Sequence, residues 1–424
     1  MKEKFLHYVW QYKLLHQPKL YSAQNEKITI INCGVYNTNS GPDFLNAKIQ
    51  IDNQLWYGNI EIHIKSSDWY THKHETDSNY DAVILHVVWE NDAEVFMKNN
   101  KPIPTLELND KVDGNILKNY QSLVYQNSNW IPCGKQISKV NSFTLENWLE
   151  RLFFERLEQK SKFILELLSE TNNDYEAVLF QMLAKNFGLK VNSEAFLKLS
   201  KSFSFSVLRK VRHKEVEISA LLFGQGGFLK DDVDIFFYKN LKNEYKYLKH
   251  KYLLKPLKKE YFQFFRMRPS NFPTIRIAQL SALYCKHQNL FAEVLKSENI
   301  EFLYDLFDIK VHPFWKSHYT FKKESKKSSK KLSKSFIDLV IINTIIPLKY
   351  VYFKSKGILK EEELLSLMKS LKPERNSIIT NFENLKVKCD NSYASQSLLQ
   401  LKNRYCDAKR CLECAIGDQL VKAQ

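Results

Sequence analysis

Residues 39–92 read NSGPDFLNAKIQIDNQLWYGNIEIHIKSSDWYTHKHETDSNYDAVILHVVWEND, and this stretch decides the fold of the first part of the chain. Apolar and polar residues alternate over 44–52 and again over 55–65, which is typical of strands with one buried face. Asp52-Asn53 between them predicts a hairpin turn. Residues 82–89 form an almost continuous apolar run, which indicates a strand buried on both faces.

The pattern continues on both sides of this stretch. Residues 3–16 carry a helical apolar stripe, and 27–33 read as a further strand. We therefore expect an α+β domain over residues 1–130, followed by a loop over 127–139. Segments with helical periodicity then run almost without interruption, so 140–424 is expected to be a mainly α-helical region.

The size and charge of the chain limit its class. At 424 residues it is long enough for two or three domains. The formal net charge is +16, which favours nucleic acid as partner and an anionic membrane surface second, although a lysine-rich composition can also reflect an AT-rich genome. The Lys-rich segment 322–335 reads as a flexible solvated loop that would add attraction to a nucleic-acid backbone. We expect no transmembrane segment and no signal peptide, and hence a cytoplasmic protein.

Two acidic residues in the first domain predict a divalent-metal site. Asp43 in a turn and Glu61 on the neighbouring strand can meet at a sheet edge and hold Mg²⁺ or Mn²⁺ through oxygen. His63 and Lys65 follow on the same strand face as Glu61, where they could position an attacking water or stabilise charge on a phosphate. The alternative is that Asp43 caps a turn and Glu61 is a solvated surface residue.

The sequence Pro42-Asp43 followed by Glu61-Ile62-His63 resembles the signature of the PD-(D/E)XK nucleases, the restriction-endonuclease-like superfamily. The resemblance implies a restriction-endonuclease-like mixed sheet, metal-dependent cleavage of phosphodiester bonds, and Glu3 as a further acidic residue on the first helix. His63 stands where that superfamily has lysine, and Lys65 could replace it. An inactive or repurposed member would look similar.

A second resemblance covers most of the chain. The motifs that carry it are similar to those of a bacterial family of unknown function, found mainly in Bacteroidetes: Gly41–Phe44, Gly58–His63, Asp68-Trp69, His72-Lys73-His74, Leu85–Trp89, Arg268–Arg276 and a Cys-rich tail. This resemblance implies family membership and no particular activity.

A histidine group follows the acidic pair. His72 and His74 form a His-x-His pair, flanked by Asp68 and Asp77, that could bind metal or phosphate and is also a common surface accident. His86, inside the apolar strand, is interpreted as a core histidine with satisfied hydrogen bonds.

The cysteines suggest a second metal site. Cys406-x4-Cys411-x2-Cys414 has metal-ligand spacing, and Cys133 or Cys389 could supply a fourth thiolate for Zn²⁺ or an iron–sulfur cluster. The alternative is a set of buried free thiols in the tail 389–417.

An arginine-rich turn completes the candidate sites. Arg268 and Arg276 could bind phosphate or could dock two helices through buried ion pairs. Taken together, the sequence predicts a metal-dependent nuclease acting on DNA or RNA. A non-catalytic nucleic-acid-binding or scaffold protein with a structural metal in the tail, and a metal-dependent hydrolase of small phosphorylated substrates, remain as alternatives.

Overall fold

A computed structural model describes residues 1–16, 19–125 and 130–423. The start of the loop predicted over 127–139 therefore lies outside the described residues, at 127–129. The chain divides into two compact units. The first comprises 1–149, 384–387 and 401–424, and the second comprises 150–383 and 388–400.

The first unit contains most of the strands and the second contains most of the helices. The elements, in chain order, are α1 (Glu3–Gln11), β1 (Leu20–Tyr21), β2 (Lys27–Asn32), β3 (Val35–Tyr36), β4 (Phe44–Ile51), β5 (Gln54–Lys65), α2 (Asp68–Thr71), β6 (Val83–Glu90), β7 (Thr105–Glu107), α3 (Gly114–Tyr125), α4 (Ser142–Glu170), α5 (Tyr175–Phe187), α6 (Leu189–Lys201), α7 (Phe205–Val211), α8 (Glu215–Gln225), α9 (Phe236–Lys251), α10 (Pro273–Lys286), α11 (Leu290–Lys296), α12 (Ile300–Leu306), β8 (His318–Thr320), β9 (Lys323–Glu324), α13 (Lys334–Val340), α14 (Ile346–Ser355), α15 (Glu361–Ser370), α16 (Ser377–Asn384), α17 (Ser392–Gln400) and α18 (Ala415–Val421).

The first unit is built on a mixed sheet, which confirms the expectation of an N-terminal α+β region followed by helices. Its strand order is β1-β2-β4-β5-β6-β7, with β3 paired to β4. Pairing is antiparallel as far as β5 and parallel from β5 to β6 and β7. The predicted hairpin is confirmed, because Ile51 pairs with Gln54 across a turn in which Asp52 has a φ of 49°.

Strand β6 is buried on both faces, as its apolar run predicts. Residues 83–88 are all buried between β5 and β7. The connection from β5 to β6 packs Trp69 and Tyr80 against Val83, Val95 and Ile103 in a small apolar core. This core fixes the path of the connection, which carries two of the candidate histidines.

Helix α1 is shorter than the predicted helix over 3–16. It ends at Gln11, and Lys13 adopts a left-handed conformation with a φ of 51°. The Lys13 ammonium group then donates hydrogen bonds to the carbonyls of Ile30 and Ile31, at 3.1 and 3.2 Å. These bonds tie the end of α1 to β2.

The second unit is a helical assembly around one large apolar core. Within the region of helical periodicity, residues 205–225 form two helices, α7 and α8, separated by a turn. The basic segment 322–335 is not wholly a solvated loop, since it includes strand β9 and the buried residues Lys330 and Leu332.

One helical run in the described residues, Lys334–Ser355, is long and apolar enough to cross a membrane by length and composition. It is interrupted by a π-helical turn at Ile341–Ile345. Most of this run is buried inside the protein, as in the core helix of a soluble fold.

Candidate metal centre

The two predicted acidic residues meet through reciprocal hydrogen bonds. The backbone N–H of Asp43 donates to Glu61 Oε2 at 3.2 Å, and the backbone N–H of Ile62 donates to Asp43 Oδ2 at 3.0 Å. Asp43 immediately precedes β4 and Glu61 lies on β5, so the hairpin brings them together. The two residues are therefore neighbours, and each carboxylate accepts a backbone N–H from the strand or turn that carries the other.

Two imidazoles contact the Glu61 carboxylate, and a third contacts one of those two. The Glu61 Oε1 atom lies 3.4 Å from His63 Nε2 and 3.3 Å from His74 Nε2. His63 Nε2 is in turn 3.0 Å from His72 Nδ1. One ring nitrogen from each histidine lies within 4.8 Å of the others, and no other such group of three occurs among residues 1–16, 19–125 and 130–423.

The local backbone directs the His-x-His pair toward this point. His72 follows α2, and His74 begins a 3₁₀ turn that ends at Thr76. Lys73 between them is left-handed, with a φ of 62°, which reverses the chain between the two histidines. The His74 ring stacks on Tyr80 with 3.7 Å between ring centroids. The pair is therefore held in place by backbone geometry and aromatic packing.

His86 belongs to the same group. It is fully buried in β6, as a core histidine should be, yet its Nε2 lies 2.9 Å from Nδ1 of His63. Its own Nδ1 is buried and has no hydrogen-bond partner among the described residues. Its interpretation as a satisfied core residue was therefore incomplete, because it contacts the ring that faces Glu61.

Helix α1 adds one residue that the sequence analysis did not identify. His7 Nε2 lies 3.2 Å from Asp43 Oδ2, and His7 Nδ1 lies 3.4 Å from the Tyr36 hydroxyl. Glu3, one helical turn earlier, is electrostatically coupled to Asp43 and His7. The sequence did contain an indication of His7: it lies four residues after Glu3, and residues at this spacing share one face of a helix.

Burial controls the protonation of this group. Desolvation, followed by the proximity of Asp43, raises the pKa of Glu61 to about 9. Desolvation, followed by the neighbouring His86, lowers the pKa of His63 to about 2, and burial lowers that of His86 to about 3. Burial also raises the pKa of Glu3 and lowers that of His74. His63, His74 and His86 are therefore neutral at pH 7, the form in which imidazoles bind metals.

The carboxylates lack a permanent cationic partner. In the part of the chain that the structure describes, no lysine or arginine forms an ion pair with Asp43 or Glu61. With a pKa of about 9, Glu61 holds a proton at pH 7 when no metal is bound, and a bound cation would displace that proton. Three imidazole nitrogens and a carboxylate oxygen form a donor set suited to Zn²⁺ or Mn²⁺. The residues present therefore fit a divalent metal ion.

Three other candidates lie outside this group. The Lys65 ammonium is 3.7 Å from Glu90 Oε2 and 3.8 Å from Asp92 Oδ2, and it is half exposed.

In the second unit, the buried Arg276 guanidinium donates to Gln279 and Asn271 and lies over the Phe336 ring. Arg268 is exposed at the start of a 3₁₀ turn. Each terminal nitrogen of the Arg276 guanidinium thus donates to an amide side chain. These contacts favour a role in packing helices together over a role in binding phosphate.

The cysteines divide between the two units. Cys133, Cys406, Cys411 and Cys414 belong to the first unit, and Cys389 belongs to the second. Burial, followed by Glu383 and Asp390, raises the pKa of the Cys389 thiol to about 11.

Comparison with known proteins gives one positive result. No curated protein and no solved structure matches the chain significantly. Residues 3–377 match the family described as "Protein of unknown function (DUF2851)", so most of the chain is covered by it. The chain belongs to this family of proteins of unknown function.

Proposed function

We propose that this protein is a metal-dependent hydrolase of phosphodiester bonds in DNA or RNA, with its metal held by Glu61, His63, His72 and His74. The observation that carries the proposal is the position of Glu61 Oε1, within 3.4 Å of Nε2 of both His63 and His74. A resemblance of the Asp43 and Glu61 hairpin to PD-(D/E)XK nucleases supports the same function. The mixed sheet is compatible with a restriction-endonuclease-like fold.

The donor set refines the choice of metal. The sequence expectation of Mg²⁺ rested on oxygen ligands alone, whereas imidazoles favour softer ions. Mn²⁺ accepts both kinds of ligand, and Zn²⁺ is well matched to histidine and carboxylate. A divalent ion there would polarise a phosphoryl oxygen and make a nearby water more acidic. We therefore expect Mn²⁺ or Zn²⁺ to support activity better than Mg²⁺.

The residues around these ligands have separate roles in the proposal. Asp43 orients Glu61 through the backbone bond at 3.2 Å and accepts the Ile62 N–H, so it fixes the carboxylate. His7, 3.2 Å from Asp43, is the group that can take a proton from water or return it to the leaving oxygen. His86 holds His63 in one orientation through its 2.9 Å contact.

A lysine-rich cleft in the second unit supports nucleic acid as the substrate class. Its volume is about 670 Å³, and five lysines line it together with Glu215. The five are Lys310, Lys316, Lys327, Lys330 and Lys331. Lys331 pairs with Asp308, whereas Lys310, Lys316 and Lys327 form no ion pair within the described residues. Uncompensated ammonium groups of this kind attract a phosphate backbone without sequence preference.

The test is a cleavage assay on single- and double-stranded DNA and RNA with added Mn²⁺, Zn²⁺ or Mg²⁺. Glu61→Gln and His74→Ala should each lower the cleavage rate by about 100-fold or more, because each removes a metal ligand. Glu94→Gln, which changes an exposed carboxylate outside the site, is the matched control and should cleave like the wild type. Absence of cleavage under all conditions, or unchanged cleavage by both site variants, contradicts the proposal.

A second candidate is a nucleic-acid-binding protein without catalysis. The observation that favours it is the position of Lys65, whose ammonium group is engaged by Glu90 and Asp92 while His63 stands in the place of a catalytic lysine. This function predicts salt-dependent binding of nucleic acid with no cleavage under any metal condition. The same assay, combined with a binding measurement, separates the two functions.

A further inference from the structure

We propose that Cys133, Cys406, Cys411 and Cys414 bind a second metal centre, of the thiolate-ligated class that comprises iron–sulfur clusters and zinc. This centre is separate from the histidine site and does not depend on the proposed hydrolase function. It would join the loop around Cys133 to the last part of the chain.

The first observation is that the four thiols form one mutually interacting group. The Cys406 thiol interacts electrostatically with Cys133, Cys411 and Cys414. Cys133 interacts with Cys411 and Cys414, and Cys411 interacts with Cys414. All six possible pairs are thus represented, although 273 residues separate Cys133 from Cys406 in the sequence. Cys133, Cys411 and Cys414 are buried, and Cys406 is half-buried.

The second observation is that packing around the group fixes its position. The Lys402 ammonium lies 5.1 Å from the centre of the Trp130 ring, which brings the two cysteine-bearing segments together. The Trp148 and Tyr405 rings pack edge to face, with 5.2 Å between centroids. Gly417 lies so close to Cys411 that an added Cβ would be 2.0 Å from the Cys411 carbonyl oxygen. The tail is therefore held by close contacts on both sides of the thiols.

The third observation concerns what the thiols lack. All four are free cysteines with no disulfide between them, although three of them are buried and the fourth is half-buried. A metal would replace their four protons and bind the resulting thiolates.

The spread of the sulfur atoms bears on the identity of the metal. No three of these cysteine sulfurs lie within 4.8 Å of one another, since the described residues contain only the histidine group at that distance. Zn–S bonds of about 2.3 Å place tetrahedral ligands roughly 3.8 Å apart. A multi-iron cluster also takes four cysteine ligands and does not require all four sulfurs to surround one ion. A single zinc ion would require the sulfurs to move closer together.

The experiment is metal and sulfide analysis of the full-length protein, purified without oxygen, with its visible absorption spectrum. We expect iron and acid-labile sulfide with a broad visible absorption that bleaches on reduction. One equivalent of zinc without colour that His74→Ala retains would also support the four-thiolate site and would assign it to zinc. Each of Cys133→Ser, Cys406→Ser, Cys411→Ser and Cys414→Ser should lose this metal. Cys389→Ser, a buried cysteine of the second unit, is the matched control and should retain it.

Some serine variants will be poorly soluble if the centre stabilises the first unit. In that case, the test is the rate at which the cysteines of the wild-type protein react with a thiol-alkylating reagent. With metal bound, these four cysteines should resist alkylation in the folded protein and react after a chelator is added, while Cys285 is unaffected by the chelator. Purified protein without iron or zinc, or four thiols equally reactive before and after chelation, would overturn the proposal. Loss of metal from His74→Ala but not from the cysteine variants would also overturn it.

Discussion

His63 on β5 and His86 on the neighbouring parallel strand β6 contact each other diagonally, with His63 Nδ1 at 2.9 Å from His86 Nε2. If His63 Nδ1 carries the proton and donates it to His86, the opposite nitrogen, Nε2, presents a lone pair toward Glu61 and His72. His86 then acts through His63, as the outer partner of a metal-binding histidine does.

The first prediction concerns this contact. His86→Phe should weaken Mn²⁺ or Zn²⁺ binding at the histidine site by about 10- to 100-fold, because His63 loses the acceptor that fixes its tautomer. Titration calorimetry on protein freed of metal measures the change. His287→Phe is the control, since His287 is also buried and bonded, 2.9 Å from the Leu306 carbonyl, but lies in the second unit. Equal metal affinity in the wild type and His86→Phe would show that His86 does not contribute to metal binding.

The second prediction concerns the left-handed Lys73, whose φ is 62°. Lys73→Val should lower the free energy of unfolding by about 1–2 kcal/mol, because β-branched residues are poorly tolerated in this conformation. Lys73→Gly should be neutral or slightly stabilising. Denaturant titration followed by tryptophan fluorescence measures both. If valine and glycine behave alike, the turn between the histidines is not constrained as described.

A glycine in the second unit provides the third prediction. A Cβ on Gly224 would lie 2.1 Å from the Tyr245 ring, and the Tyr245 hydroxyl is held by Gln225 Oε1 at 2.8 Å. Gly224→Ala should therefore destabilise the protein by about 1–3 kcal/mol through overpacking of α8 against α9. Gly114→Ala is the matched control, because no atom lies within 4 Å of its added Cβ. Thermal unfolding of both variants should show a loss only for the first.

The fourth prediction follows from Lys160. Burial lowers the pKa of its ammonium group to about 7, although it contacts the Asn343 and Gln396 side chains. Between pH 7 and 10 the unfolded chain then binds a proton at Lys160 that the folded chain does not. The free energy of unfolding should rise with pH in this window, by at most about 1.4 kcal/mol per pH unit from this group. Lys160→Met should flatten that rise, whereas an unchanged pH profile would show that Lys160 is charged in the fold.

The fifth prediction concerns the lysine-rich cleft. Replacing Lys310, Lys316 and Lys327 together by Gln should weaken binding to nucleic acid of any sequence. It should also reduce the slope of log affinity against log salt by about 2–3. The same charge change at Lys246, Lys249 and Lys251 on α9 is the control. Fluorescence anisotropy at several salt concentrations compares them, and equal slopes in both triple variants would exclude the cleft as the contact surface.

Local pattern accounts for much of the fold. The alternation in β4 and β5, and the Asp52 turn between them, are short-range signals, and they place Glu61 and His63 on one strand face. His7 was missed because its partner, Asp43, is 36 residues away and is brought to it only by the docking of α1. His86 was assigned to the core correctly by its apolar neighbours, but its contact with His63 depends on the parallel register of β5 and β6. Helix α3, which lies before the region of helical periodicity, was also missed.

The first unit is discontinuous in sequence, since 401–424 belong with 1–149. During synthesis, the strands of the sheet leave the ribosome long before the residues that complete their unit. The 234 residues of 150–383 must emerge first. The first unit therefore cannot be completed until residues 401–424 have been synthesised. Loss of the last two dozen residues should consequently harm the amino-terminal sheet more than the helices that are encoded next to them.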